Sequence, residues 1–378
     1  MAKKQIRVLH FFKTYFPDSY GGIEQVINQI ARGSAAHGIE THVLSLSKTK
    51  VERTITLNGH KVHRAKQDFY IASTGISFSV FLRFSQLAKQ ADVIHYHFPW
   101  PLMDMVHLLT RVNKPSVVTY HSDIVRQKRL MKFYQPLKNS FLSSVDRIVA
   151  TSPNYLKSSD VLKRFKEKVE IIPIGIDKSL YPTPEIERVN EWRHEVGDKF
   201  FLFVGVLRYY KGLHILIEAA RTADYPIVIV GAGPVEMELK ALADSFGLRN
   251  IYFAGRVSDA DKVALLELSY AVVFPSHLRS EAFGISLLEG AMYGKPMISS
   301  EIGTGTTFIN IDGETGIVVP PSDPAALSQA MSWLWDNPVA ASQMGIKAEK
   351  RYWQLFTADE MVEKYAGLYR DLVKRANL

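Results

Sequence analysis

Short, almost wholly apolar runs recur along this chain, and amphipathic stretches fill the intervals between them. In the first half the runs are 6–12, 41–46, 92–96, 116–120, 147–151 and 169–172. Ile23 to His37 carries apolar residues at 23, 26, 27, 30 and 31, the spacing of one helix face. The second half repeats the rhythm, with strand-like runs at 200–204, 227–230, 251–254 and 271–274. Helix-like segments at 213–221, 235–246 and 260–269 separate them. Strands that are apolar on both faces belong in parallel sheets covered on both sides. The rhythm breaks at 173–190, where Pro173, Gly175, Pro182 and Pro184 fall, and this stretch reads as an interdomain linker. The expected fold class is α/β, with two doubly wound domains, residues 1–180 and 191–357, hinged near 175–195. A length of 378 residues accommodates them.

Composition narrows the function classes. Apolar residues make up 47% and charged residues 22%, which removes disorder, collagen and coiled coil as global readings. Cysteine is absent, so disulfides, thiolate zinc sites and a cysteine nucleophile are excluded. No run reaches the ~18 apolar residues of a spanning helix, because Ser73, Thr74, Gly75, Ser77 and Ser79 interrupt 69–82. Residues 1–12 carry Lys3, Lys4 and Arg7 with too short an apolar run for a signal peptide. A soluble cytoplasmic protein is the expectation.

Charge is divided unevenly. Residues 1–190 hold 28 Lys plus Arg against 15 Asp plus Glu, a net +13, and the remainder is net −5. A basic half suits an anionic partner, which includes nucleic acid, lipid headgroups and a phosphorylated substrate. The densest clusters are Arg126-Gln127-Lys128-Arg129 with Lys132, and Lys163-Arg164 with Lys166 and Lys168. Solvated helix faces account for such clusters equally well.

Ligands of open parallel sheets bind at the carboxyl ends of the strands. The first strand leads to Gly21-Gly22, a turn that lets phosphate approach a helix N-terminus, although a plain turn explains the pair as well. No G-x-G-x-x-G follows. The 116–120 strand ends in His121, placed to donate to a ligand hydroxyl or to serve structure alone. His95 and His97 follow the preceding strand and are read as alternating in direction, so they need not share a site. No third ligand at a characteristic spacing accompanies them, so no metal site is expected. In the second half, Arg208 and Lys211 lie just past strand 200–204, placed to neutralise phosphates. Gly231-Ala232-Gly233-Pro234 follows strand 227–230.

Glu281 and Glu289 are separated by seven residues around Phe283-Gly284-Ile285, the start of a helix. Amides near 283–286 are placed to hold a diphosphate between the two carboxylates. Spacing alone carries nothing, since Glu187 and Glu195 repeat it beside the linker. The strand–loop–helix context separates the two pairs. Asp259-Ala260-Asp261 offers a metal–diphosphate clamp, but Ser258 with Asp261 three residues on reads as a helix cap.

These segments together resemble the retaining glycosyltransferases of family 4. The match comprises Gly21-Gly22-Ile23-Glu24, His95-Tyr96-His97-Phe98-Pro99, Thr119-Tyr120-His121-Ser122-Asp123, Ile174-Gly175-Ile176-Asp177, Lys211-Gly212, Gly231-Ala232-Gly233-Pro234, Phe253-Ala254-Gly255-Arg256-Val257 and Glu281 to Glu289. The resemblance implies the GT-B fold, two doubly wound Rossmann-like domains facing across a cleft. It implies an acceptor on the first domain and a nucleotide sugar mostly on the second. The last helix, about 358–378, packs back on the first domain.

By the same resemblance Glu281 contacts the donor hexose, Glu289 binds the ribose, and Arg208 and Lys211 neutralise the diphosphate. Amides at Phe283, Gly284 and Ile285 hold sugar and phosphate oxygens. Arg256 and Val257 border the base, His121 lies near the 6-hydroxyl, and Gly21 and Gly22 lie near the diphosphate. The family usually has Arg directly after the glycine of the strand at 200–204. Here Val206 stands there, and Arg208 must substitute for it. No metal or other cofactor is implied.

The opening His10 to Gln25 and the stretch Leu207 to Leu213 resemble bacterial O-antigen mannosyl- and rhamnosyltransferases. That points to GDP-mannose or a GDP-deoxymannose such as GDP-rhamnose, and to a polyprenyl-diphosphate-linked saccharide acceptor. The basic first half would then meet the inner, anionic face of the cytoplasmic membrane. A UDP-sugar donor, a sugar-nucleotide epimerase and a nucleotide-sugar-sensing scaffold remain alternatives. Nucleic acid is not an expected partner, because the second half is acidic and has no aromatic RNA-binding motif.

Overall fold

The apolar runs become strands, and Val93–Phe98, Ser116–Tyr120, Ile227–Val230 and Ala271–Phe274 are buried on both sheet faces, whereas Val169–Ile171 and Ile251–Gly255 are only partly buried. A computed structural model describes residues 5–49, 54–71, 74–124, 128–222 and 224–377, with side chains left aside for 128–131. Arg126 and Gln127 of the first basic cluster, and the side chains of Lys128 and Arg129, therefore lie outside the described residues. The backbone divides into two units, residues 1–176 with 358–378, and 177–357.

The first unit contains β1 (Ile6–Phe11), β2 (Ile39–Ser47), β3 (Thr54–Leu57), β4 (His60–Lys66), β5 (Phe69–Ile71), β6 (Thr74–Ile76), β7 (Val93–Phe98), β8 (Ser116–Tyr120), β9 (Arg147–Ala150) and β10 (Val169–Ile171). Eight of them form one sheet in the order β10-β9-β8-β7-β1-β2-β4-β3, parallel except for the β3–β4 pair. The order reverses between β1 and β7. Asn58-Gly59 closes the β3–β4 hairpin, with both residues at positive φ, as a two-residue turn of this kind requires. The helix Ala358–Ala376 packs on the helix Gly22–Ser34 so closely that a Cβ at Gly33 would meet Val362 Cγ2 at 2.6 Å.

The second unit holds β11 (Phe201–Val204), β12 (Ile227–Val230), β13 (Ile251–Gly255), β14 (Ala271–Phe274), β15 (Met297–Ser300) and β16 (Gly316–Val319). All six are parallel, in the order β13-β12-β11-β14-β15-β16. Counted within the unit this is 3-2-1-4-5-6, the doubly wound order, and its switch point lies between β11 and β14. Phe201, Phe203, Ile227, Ile229 and Val273 fill the core beneath it. Each such side chain adds about 1.5–3 kcal/mol on burial.

The boundary between the units, at 176/177, falls within the 173–190 stretch, but the end of that stretch is helical rather than irregular. Residues Ile186–Val196 form a helix that packs on the helix Asp259–Leu268. Trp192 Nε1 donates to Asp261 Oδ1 at 3.0 Å, and Arg188 pairs with the same carboxylate at 3.2 Å. One tryptophan and a few polar contacts hold this helix, which is why apolar periodicity did not reveal it. Asp261 does cap its helix: its amide binds Ser258 Oγ and its carboxylate binds the Ser258 amide. That accounts for the Asp-x-Asp pair without a metal.

Candidate active site

Two strand exits converge at the switch point of the second unit. The chain leaves β11 through Gly205 and leaves β12 through Gly231, which has φ +128°. A Cβ on Gly231 would stand 2.0 Å from the Gly205 carbonyl oxygen, so the two main chains touch only because both are bare. Past Gly205, Val206 and Arg208 are exposed, while Lys211 closes the loop. Lys211 Nζ lies 2.5 Å from Glu281 Oε2 and 4.6 Å from the centre of the Phe274 ring. Arg208 has no ion-pair partner among the described residues and stands free at the surface.

The exit of β14 carries Glu281 and then the helix Ile285–Met292. Its N-cap is Gly284, at φ +100°, which supplies no side chain to bind the first amides. Leu287 N–H bonds back to the Gly284 carbonyl, but the amides of Phe283, Gly284, Ile285 and Ser286 find no acceptor among the described residues. Phe283 and Gly284 are buried, so these donors are costly to leave unpaired. A row of open amides at a helix start suits anionic oxygen.

Glu289 sits in the second turn of that helix, with its side chain almost fully buried. Its Oε1 receives Lys262 Nζ at 2.9 Å and Tyr181 OH at 3.0 Å. Burial works against the Lys262 ammonium, but Glu289 and Asp259 outweigh it and hold its pKa above the ordinary value. Burial, with Glu289 beside it, likewise raises the Tyr181 hydroxyl. Both donors engage one oxygen, and Oε2 has no hydrogen-bond partner among the described residues. Arg256 and Val257 follow β13 directly, Arg256 exposed and Val257 half-buried.

In the first unit, Gly21 caps the helix Gly22–Ser34. The preceding loop is tied by Glu24, whose Oε1 accepts from Thr14 Oγ1 and Ser19 Oγ, each at 2.8 Å. His121 follows β8 and is buried, with its pKa pushed down to about 3 by loss of solvent.

His95 and His97 correct an expectation. They lie inside β7 rather than after it, and residues i and i+2 of a strand share a face. Register places His95 opposite His10 of β1, and His97 opposite Thr119 of β8. The ligand nitrogens of His10, His95 and His97 fall within 4.8 Å of one another. Hydrogen bonds already occupy most of them. His95 Nδ1 meets Tyr369 OH and Nε2 meets Thr119 Oγ1, both at 2.7 Å. His10 Nδ1 lies 3.0 Å from His97 Nε2, a hydrogen-bond separation. Two nitrogens on a tetrahedral metal at ~2.0–2.1 Å would stand about 3.3–3.4 Å apart. The cluster is thus built for N–H···N bonding, and a metal would have to displace those bonds.

Comparison with known proteins decides the family. Residues 20–180 match Glycosyltransferase Family 4, and residues 185–351 match Glycosyl transferases group 1. The chain is 64% identical to the D-rhamnosyltransferase WbpZ of Pseudomonas aeruginosa, over 93% of each protein. The chain belongs to the family 4 glycosyltransferases. It is also 51% identical to the O-antigen chain mannosyltransferase C of Escherichia coli, over 98% of this chain and 99% of that one. The GT-B architecture agrees: sucrose-phosphate synthase of Thermosynechococcus elongatus superposes with a TM-score of 0.81 at 20% identity, covering 98% of this chain and 100% of that one. The protein is therefore a glycosyltransferase with two Rossmann-like domains. It uses a sugar donor and a saccharide acceptor, and no helix among the described residues is long and apolar enough to cross a membrane.

Within this glycosyltransferase the second unit gathers Lys211, Glu281, Phe283, Gly284, Ile285 and Glu289 around one switch point. Arg208 lies on the same loop as Lys211. Sequence reasoning missed Lys262 and Tyr181, which hold Glu289, and did not join His97 to His10 and His121. The histidines had a signal in their spacing: the i, i+2 pair at 95 and 97 shares a strand face. Lys262 and Tyr181 had none, since they reach Glu289 from 27 and 108 residues away.

Proposed function

We propose that this glycosyltransferase moves mannose, or a deoxymannose such as rhamnose, from its GDP-sugar to a polyprenyl-diphosphate-linked saccharide in O-antigen synthesis. The observation that carries this reading is the high identity, over nearly the whole chain, to a D-rhamnosyltransferase and an O-antigen mannosyltransferase. In the second unit, Glu289 Oε2 is assigned to the ribose, and Arg256 and Val257 to the edge of the base. The open amides at 283–285, with Lys211 and Arg208, take the diphosphate. Glu281 holds the hexose. In the first unit, His121 is assigned to a sugar hydroxyl, and the Gly21-Gly22 turn to phosphate.

The proposed chemistry uses those parts. As the bond from C1 to the phosphate oxygen breaks, positive charge develops on the sugar and negative charge on the leaving diphosphate. Fixed amides and two cations stabilise the departing charge without reorganising. They supply the neutralisation that a divalent ion otherwise gives, which supports a metal-independent reaction. The acceptor oxygen bonds to C1 on the face the phosphate leaves, and its proton passes to the phosphate oxygen. Configuration is thereby retained.

A membrane-facing role draws support from the first unit. Phe69, Tyr70, Ile71, Phe78 and Leu82 are each more than half exposed. Lys48 lies 5.1 Å from the centre of the Tyr70 ring. Beside them is a cavity of about 790 Å³ lined by Arg64, Lys66 and Arg83 as well as Phe78 and Leu82. Aromatic side chains bordered by cations suit the headgroup region of an anionic bilayer.

Two measurements test this reading. A ligand that binds only the folded state raises the melting temperature. GDP and GDP-mannose are expected to do so with EDTA present, and a shift confined to UDP would discard the GDP assignment. Flotation with anionic vesicles is expected to capture the protein at low salt and to weaken when Phe69, Tyr70 and Ile71 become Ser. Equal flotation of wild type and variant would remove the membrane assignment.

A further inference from the structure

Three histidines of the first unit are joined end to end. His10 Nδ1 lies 3.0 Å from His97 Nε2, and His97 Nδ1 lies 3.0 Å from His121 Nε2. All three are buried, and burial holds each imidazole neutral near pH 7. The far end of the chain, His10 Nε2, is buried and has no hydrogen-bond partner. The near end, His121 Nδ1, has no hydrogen-bond partner among the described residues and is left to meet a ligand.

A neutral imidazole has one N–H and one lone pair. His97, bonded on both sides, must therefore donate to one neighbour and accept from the other. Only two proton arrangements remain, and they cannot be mixed. In one, His10 donates through Nδ1, His97 donates through Nδ1, and His121 presents Nδ1–H outward. In the other, every proton reverses. His121 then presents a bare lone pair, and His10 must hold its proton on Nε2, where no acceptor exists. Unpaired buried donors are the rarer defect in folded proteins, which favours the first arrangement.

We propose that His10 and His97 are positioning residues that lock His121 in the Nδ1–H tautomer, so that it acts as a hydrogen-bond donor to a sugar oxygen. His95 stands beside the relay but not in it. Its nitrogens are taken by Tyr369 and Thr119, and Thr119 Oγ1 also bonds Tyr365 OH at 2.8 Å. The last helix, through Tyr365 and Tyr369, thus packs the wall against which the relay is held.

The lock is read directly by ¹⁵N-edited NMR of the side-chain imidazoles, in the whole protein without ligand. His10, His97 and His121 are expected in the Nδ1–H form, unchanged across neutral pH. In His10→Phe the end of the relay moves to His97 Nε2, which is buried as well, so His121 should keep the Nδ1–H form. His10→Asp, whose carboxylate accepts from His97 Nε2, should reverse the proton order and turn His121 to the Nε2–H form, with kcat falling several-fold while the donor KM stays near wild type. A His121 that stays Nδ1–H in His10→Asp, or an Nε2–H His121 in the wild type, overturns the proposal. The donor-sugar role of His121 rests on the function proposed above. A tautomer reversed in His10→Asp with unchanged kinetics would remove that role and leave the lock standing. His10→Leu, checked for a wild-type melting profile, replaces His10→Phe if the larger ring prevents folding.

Discussion

Lys211 Nζ and Glu281 Oε2 stand 2.5 Å apart, although they enter from the exits of two different strands, β11 and β14. Both side chains are largely buried, at 11% and 12% exposed. Each therefore neutralises the other where solvent does so poorly. Tyr210 beside them has its hydroxyl pushed up to about 12 by burial, with Glu281 adding to the effect. The pair lies at the switch point, where a doubly wound sheet receives its ligand.

Removing either partner should cost more catalysis than binding. Lys211→Met deletes the cation we propose to face the departing diphosphate, and kcat should fall by about 10²–10³-fold. Glu281→Gln keeps the shape and loses the charge, with a comparable fall in kcat and a small change in donor KM. Steady-state kinetics with each variant separates the two. A large KM effect at unchanged kcat would make the pair a ground-state binder only.

Glu289 depends on Lys262. Lys262→Met leaves a largely buried carboxylate with Tyr181 as its remaining partner. The expected loss of stability is about 2 kcal/mol. Tyr181→Phe removes a single hydrogen bond and should cost about 1 kcal/mol. Urea denaturation measures both, and equal losses would refute the assignment of Lys262 as the main support.

Arg208 is exposed and without an ion-pair partner among the described residues. Its substitution by Gln should leave stability within about 0.5 kcal/mol, as at ordinary surface positions. If it stands in for the cation absent at Val206, kcat should nevertheless fall at least tenfold. Val206→Arg in the same background should then restore part of the activity, because position 206 is also exposed. Full activity in Arg208→Gln would leave Lys211 as the sole cation on this loop.

Stability should fall as pH drops below about 6.5. His10 and His121 have pKa values lowered to about 3 by burial, and His60, His63 and His107 to about 4. Between those values and 6.5 the unfolded chain binds protons that the folded chain refuses, so the free energy of unfolding rises with pH. Each such histidine contributes a slope of up to about 1.4 kcal/mol per pH unit. Urea titrations from pH 7 to pH 5 should show a steep loss, and the His10→Phe variant a shallower one. A flat profile would contradict the burial of these rings.

The alternation of apolar runs was enough to place β1, β2, β7, β8 and the central strands of the second unit, because both faces of each are buried and the pattern is continuous. It missed β15 and β16. Met297–Ser300 ends in two polar residues, and Gly316–Val319 begins with a glycine. The β3–β4 hairpin was also missed, although Asn58-Gly59 is a strong turn signal. At the site, the residues following strands could be read because a parallel sheet dictates where its ligand binds. What could not be read was who touches whom. Lys262 reaching Glu289, or Tyr369 reaching His95, is set by the packing of whole helices and leaves no local trace in sequence.

The proposed reaction is sugar transfer from a GDP-linked mannose or deoxymannose with retained configuration and without a metal. The most direct test incubates the protein with GDP-mannose, GDP-rhamnose or UDP-glucose, a polyprenyl-diphosphate saccharide and EDTA, then assigns the new linkage by NMR. Product is expected from a GDP-sugar alone, with the anomeric configuration of the donor preserved. Product only from UDP-glucose, inverted configuration, or activity abolished by EDTA would contradict it.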